Sequence, residues 1–187
     1  MNSKICMYVL SMICIAATST VVADEDGGLF SWFKGKVGKG SDVAAVTNEK
    51  YATECGACHF AYQPGLLPAR SWKKIMSNLS DHYGENAELA KEDNRSLTAY
   101  LVENAADDSK YKRSKKIMAS INSNETPLRI TKTPYIVEKH NELTPQMVVS
   151  NQKVGSLSNC AACHTKAKEG SFQEEEILIP GFGRWED

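Results

Sequence analysis

At 187 residues, with 42% hydrophobic and 24% charged side chains, the chain falls in the ordinary globular range and is long enough for one domain or two small ones. Its formal charge of −1 excludes the strongly basic balance that nucleic acid as a partner requires.

Residues 1–23 read as an export signal, with Lys4 as the charged start, an apolar run from Ile5 to Ala17, and small Val21 and Ala23 at the cut. The mature chain then begins near Asp24. A membrane anchor is the competing reading, but Thr18, Ser19 and Thr20 interrupt the run and the acidic Asp24, Glu25 and Asp26 close it. Cys6 follows Ile5 and Cys14 follows Ile13, so neither has the small preceding residue of a lipidated N-terminus. Removing the signal takes one lysine and no acid, leaving 21 basic against 23 acidic side chains and a charge of −2.

Residues 24–41 form a lead-in of glycine, lysine and acid that also holds Phe30, Trp32 and Phe33 and carries no motif. From Asp42 the pattern is helical, because Tyr51, Cys55, Cys58 and His59 share one helix face. Cys55-Gly56-Ala57-Cys58-His59 is repeated in kind by Cys160-Ala161-Ala162-Cys163-His164. Both are C-x-x-C-H, the c-type haem attachment signature. Two thiols three positions apart each form a thioether to one haem vinyl group, and the adjacent histidine reaches the iron. These are all the cysteines left once the signal is gone. A Cys₂His₂ zinc site would leave export without purpose, and a disulfide within each motif would leave both histidines unexplained.

Pro64-Gly65 and Pro68 mark turns, and Ser71 is the expected N-cap of a helix whose stripe runs Trp72, Ile75, Met76, Leu79, His82 and Tyr83, stopped by Gly84. A lone histidine on an apolar face is usually a core residue. An iron that needs a second ligand in the same small unit makes His82 a ligand candidate instead. The next helix spans about Asn94 to Ala106, with Leu97, Tyr100, Leu101 and Ala105 inward, and Asp107-Asp108-Ser109 breaks it.

In the basic stretch 110–116, Lys110, Lys112, Arg113, Lys115 and Lys116 surround Tyr111, as on a solvated helix face; a docking patch for an acidic partner or a cover for haem propionates is the alternative. Thr133-Pro134 and Thr144-Pro145 then start two short helices, the first closed by His140 with Ile136 one turn earlier. Ser156 or Ser158 caps the second attachment helix, which ends near Gly170, and the apolar tail Ile177 to Pro180 covers a haem edge.

The mature chain has four histidines, two in the motifs plus His82 and His140, which is the number that two six-coordinate haems need. His82 lies 23 residues after His59 and His140 lies 24 before His164, giving two local units. Crossed pairing would close loops of about 80 residues at only about 1 kcal/mol more in chain entropy, so helix packing, not loop length, favours the local option. Met76, Met118 and Met147 are the rival distal ligands.

Tyr51-x-x-Glu54-Cys55-Gly56-x-Cys58-His59-x-Ala61-Tyr62, Leu66-Leu67-Pro68-Ala69-Arg70-Ser71-Trp72, Arg129-Ile130-Thr131-x-Thr133-Pro134 and Ser158-Asn159-Cys160-x-x-Cys163-His164 resemble the bacterial dihaem cytochrome c family, over about Tyr51 to Pro180. The resemblance implies a mainly α periplasmic protein of two small cytochrome c-like helical haem domains, a class I-like one at 42–108 and a second at 109–187. It implies two covalent haem c groups held by Cys55, Cys58, Cys160 and Cys163. The irons would be ligated by His59 with His82 and by His164 with His140. It further implies a monomeric electron carrier without a small-molecule substrate, fed by a membrane cytochrome b and serving a small oxygen-binding monohaem cytochrome c. Arg70 is a candidate propionate partner, with a structural role in its turn as the alternative.

Two other functions remain open to the sequence. One is a haem enzyme, a peroxidase or reductase, in which one iron opens a coordination site. The other is a haem-based sensor, for which the chain offers no signalling domain.

Overall fold

The computed structural model describes residues 41–186, so the expected export signal and all but the last residue of the lead-in lie outside the described residues. Helix α1, Glu49–Gly56, starts where the Asn48 side chain accepts the Tyr51 amide at 2.8 Å, with Glu49 in the first turn to suit the helix dipole. It ends at Gly56, a poor helix former, so Cys55 is helical while Cys58 and His59 lie on the following turn. The expected single helical face therefore carries only the first half of the motif.

A buried 3₁₀ turn at Pro64–Leu66 leads into α2, Ala69–Met76. Its N-cap is Pro68, not Ser71: the Ser71 and Trp72 amides both donate to the Pro68 carbonyl, which places Ser71 inside the first turn. The helix also stops six residues short of His82. Ser77 Oγ turns back to the Lys74 carbonyl at 2.8 Å, and a 3₁₀ turn at Leu79–Asp81 follows, an instance of short polar side chains competing with helical bonding. His82 and Glu85 then pair across a tight turn made by Tyr83 at φ 60° and Gly84 at φ 99°. Tyr83 is thus a bulky residue held in the left-handed region.

Helix α3, Lys91–Glu103, has Glu92 and Asp93 at its positive end and packs on α2 through buried Leu97 and Leu101. With Tyr51, Leu67, Trp72, Met76, Leu79 and Ala105 these form one apolar cluster. Helix α4, Lys112–Ser120, buries Ser114 and Ile117, and lies so close to the Pro64–Leu66 turn that a Cβ on Gly65 would sit 2.7 Å from Ser114 Oγ. Helix α5, Pro134–Lys139, begins with Pro134 at its first position, as expected, and is closed by His140.

The segment after Thr144-Pro145 is a run of turns where a helix was expected. Adjacent Val148 and Val149 are weak helix formers, and the Asn151 amide reaches the carbonyls of Met147 and Pro180. The second attachment segment is likewise a 3₁₀ turn, Cys160–Ala162, and not an α-helix. Ser156 Oγ accepts the Ser158 amide and Asn159 Nδ2 donates to the Val154 carbonyl, bonds that hold the backbone in turns. The segment does end at Gly170, in the left-handed conformation at φ 79°. A short antiparallel pair, β1 (Leu178–Ile179) with β2 (Gly183–Arg184), closes the chain.

The second apolar cluster joins Val43 and Leu66 to Ile117, Ile121, Ala167 and Phe172. Asp42 and Val43 both donate backbone amides to the Gly170 carbonyl, and the buried Gln63 amide donates to the Ala167 carbonyl. Residues 109–187 are thus packed directly against the segment at 42–66. Among the described residues, no helix is long and apolar enough to cross a membrane.

Candidate haem-binding sites

Each C-x-x-C-H motif lies beside one of the two remaining histidines. The rings of His59 and His82 stand 6.2 Å apart, centroid to centroid, and nearly parallel at 18°. Those of His140 and His164 stand 6.1 Å apart and nearly perpendicular at 73°. An iron bonded to a ring nitrogen on each side at about 2 Å, the usual metal–imidazole distance, needs ring centroids about 6 Å apart. Both pairs meet that span, and both are the local pairs.

At the first site, His59 Nδ1 lies 2.8 Å from the Phe60 carbonyl. A carbonyl only accepts, so Nδ1 carries the proton and Nε2 is left with its lone pair outward. Tyr62 packs on His59 at 5.0 Å, and Tyr83 packs on His82 at 4.8 Å. Arg129 covers the Tyr83 ring at 3.9 Å, and Tyr83 Oη donates to the Leu128 carbonyl, so residues from beyond α4 brace the His82 turn. Burial, then the charge of His59 and Arg129, holds the His82 imidazole below its ordinary range.

The second site is more enclosed. Asp42, Arg113, Tyr135 and Phe172 line a cavity of about 670 Å³ with the two histidines and with Cys160 and Cys163, within the volume range of cofactor sites. Helix α5 aims His140, whose Nδ1 lies 2.7 Å from the Ile136 carbonyl one turn back and is therefore again the protonated nitrogen. Burial is the main cause that pushes His164 down to about 4, with the charges of His140 and Arg113 adding to it. The same burial, opposed by the Ile136 bond, lowers His140. In His82, His140 and His164 burial thus favours the neutral form, the one that binds iron. His164 Nδ1 is buried with no partner among the described residues, unlike its counterpart His59. Its backbone pairs with Ile177, and Ile177 and Ile179 line the cavity, so the apolar tail does cover this site.

None of the four cysteines among the described residues is in a disulfide. Burial pushes Cys55 and Cys160 up to about 11, away from the lowered values of thiols used in exchange chemistry. Among the described residues, no three His, Cys, Asp or Glu side chains converge as a metal cage. Met76 is buried in the first apolar cluster, away from the role of distal ligand. Arg70 donates Nε to the Glu125 carbonyl at 2.5 Å and Nη2 to the Asn122 carbonyl at 3.2 Å, bonds that tie its turn to the segment at 122–125.

Three residues received no individual role in the sequence reading. Tyr62 packs on His59 and donates its hydroxyl to the Ser158 carbonyl at 2.7 Å, two residues before Cys160, so one side chain links the sites. Arg113 and Asp42 form an ion pair at 3.1 Å in the wall of the second cavity. A lone arginine among lysines was the only signal for Arg113.

Two C-x-x-C-H motifs, each with a second histidine beside its own in a mainly helical frame, define a c-type cytochrome with two haem sites. A sequence model of the dihaem cytochrome c family matches residues 51–172, more than half of the chain. The solved dihaem cytochrome c of Shewanella baltica is 40% identical with a TM-score of 0.62, over 74% of this chain and 98% of that one. The dihaem cytochrome c of Rhodobacter sphaeroides is 44% identical with a TM-score of 0.62, over 70% and 100%. Among curated proteins, none matches. The chain belongs to the dihaem cytochrome c family: it is a haem-based electron-transfer protein that carries two covalently bound c-type haems.

Proposed function

We propose that this protein is an exported, periplasmic electron carrier whose irons are both bis-histidine, with His59 and His82 on the first haem and His164 and His140 on the second. Residues 42–108 and 109–187 supply the two haem units. The observation that carries the reading is the pair of ring separations, 6.2 and 6.1 Å, each beside its own Cys-x-x-Cys. Bound there, haem iron supplies one-electron oxidation and reduction. The protein lowers the pKa of His82, His140 and His164 by burial, fixes His59 and His140 through Nδ1, and leaves neither iron a face for substrate. Electrons enter from a membrane cytochrome b and leave to a small oxygen-binding monohaem cytochrome c, the partners that the family likeness implies.

The test is the visible spectrum of the purified, untreated holoprotein with and without carbon monoxide. Wholly low-spin haem, unchanged by carbon monoxide after reduction, is the expected result. Binding to half of the haem would make the protein a peroxidase or reductase with one iron open.

A further inference from the structure

We propose that Arg113, pinned by Asp42, is the fixed positive charge that raises the reduction potential of the second haem. Arg113 projects from the first turn of α4 into the cavity wall, where its side chain is only 18% exposed. One guanidinium nitrogen donates to Asp42 Oδ2 at 3.1 Å and to the Phe172 carbonyl at 2.9 Å, and another donates to Tyr135 Oη at 3.2 Å. Asp42 Oδ2 also accepts the Phe172 amide at 2.9 Å. The guanidinium lies 5.7 Å from the Phe172 ring, and that ring packs on His164 at 5.1 Å. Its Nε is buried and has no partner among the described residues, which leaves one donor for a carboxylate of the cofactor.

Arginine stays charged at every pH the protein meets, and its planar fork is fixed here by three acceptors. The lysines along the cavity mouth, Lys112, Lys116, Lys132 and Lys139, are exposed and screened by salt, whereas a charge inside the wall is not. A ferric centre carries one more positive charge than a ferrous one, so Arg113 favours the reduced state and Asp42 offsets part of that preference. The two side chains therefore act with opposite signs. The pair also explains why a segment near residue 42 reaches the second site, since the Arg113 amide donates to the Asp42 carbonyl and the Asp42 amide to Gly170.

This inference rests on His140 and His164 ligating the second iron, a reading that would fail first as a high-spin signal in the unsubstituted protein. The test is a redox titration of the holoprotein followed by paramagnetic resonance, in which the parallel and perpendicular imidazole pairs give distinct ferric signals and so assign each wave. Arg113→Gln is expected to lower the second-haem potential by about 59 mV or more, a tenfold change for one electron, and Arg113→Lys by less. Asp42→Asn, nearly the same in shape, is expected to raise it. The first-haem wave stays in place in all three. Should Arg113→Gln fail to load haem, the sign seen with Asp42→Asn decides alone: a fall or no change overturns the proposal. So do shifts of the same sign in both variants, or the two waves moving together.

Discussion

The two histidine pairs proposed as iron ligands are alike in ring spacing and differ in almost everything around them. His59 is exposed, its Nδ1 bonded to the carbonyl of its own neighbour, and its partner His82 hangs on a tight turn outside any helix. His164 and His140 stand inside a cavity walled by residues from both ends of the described chain, with a buried charge beside them and His164 Nδ1 unbonded. A bonded Nδ1–H makes an imidazole the stronger donor, but each site has one, on His59 and on His140, so that effect is shared; burial and a nearby cation, which favour ferrous iron, are not. The two differences that remain act in one direction, toward a second haem with the higher potential. One ligand set can thus serve two potentials, with the difference made by the protein wall.

The largest break in this comparison comes from removing one distal ligand. His140→Ala is expected to turn the second haem high-spin while the first stays low-spin, and His82→Ala the reverse, both read by magnetic circular dichroism. Perturbation of the opposite haem would mean crossed pairing.

Gly170→Ala follows in size. It forces a side chain on a residue at φ 79° and drives its Cβ into the Val43 carbonyl, so a loss of more than about 2 kcal/mol in denaturant unfolding is expected. The spectral damage should fall on the second haem, where Asp42 and Val43 are strapped to Gly170.

Tyr83→Leu removes the ring under Arg129 and the bond to the Leu128 carbonyl, and is expected to cost about 1–2 kcal/mol and to disturb the first haem alone. Tyr62→Phe keeps the ring on His59 and loses only the bond to Ser158, so it should cost about 1 kcal/mol. Both low-spin signals should survive it, and a change confined to the rate of electron exchange between the haems would identify Tyr62 as their link.

The two haem attachment motifs were legible because C-x-x-C-H is a local signal, and the proposed axial histidines came from counting those that remain. The start of α5 at Thr133-Pro134 and the inward face of α3 were legible for the same reason: cap chemistry and helical period act over a few residues. The ends of α2 and of the second attachment segment were not. There the periodic pattern ran on, while Ser77, Ser156 and Asn159 diverted the backbone through bonds that only the folded chain displays. Arg113 sat in a run that reads as a solvated face, and only the approach of Asp42, 71 residues away, turns it inward. What the sequence could not supply was the difference between two sites that carry the same motif.

A redox titration of the holoprotein, monitored by paramagnetic resonance, tests that difference most directly. The account predicts two low-spin ferric signals and no high-spin iron, with the signal of the perpendicular His140–His164 pair disappearing first as the potential is lowered. A high-spin signal in the untreated protein, or the His59–His82 signal disappearing first, would contradict it.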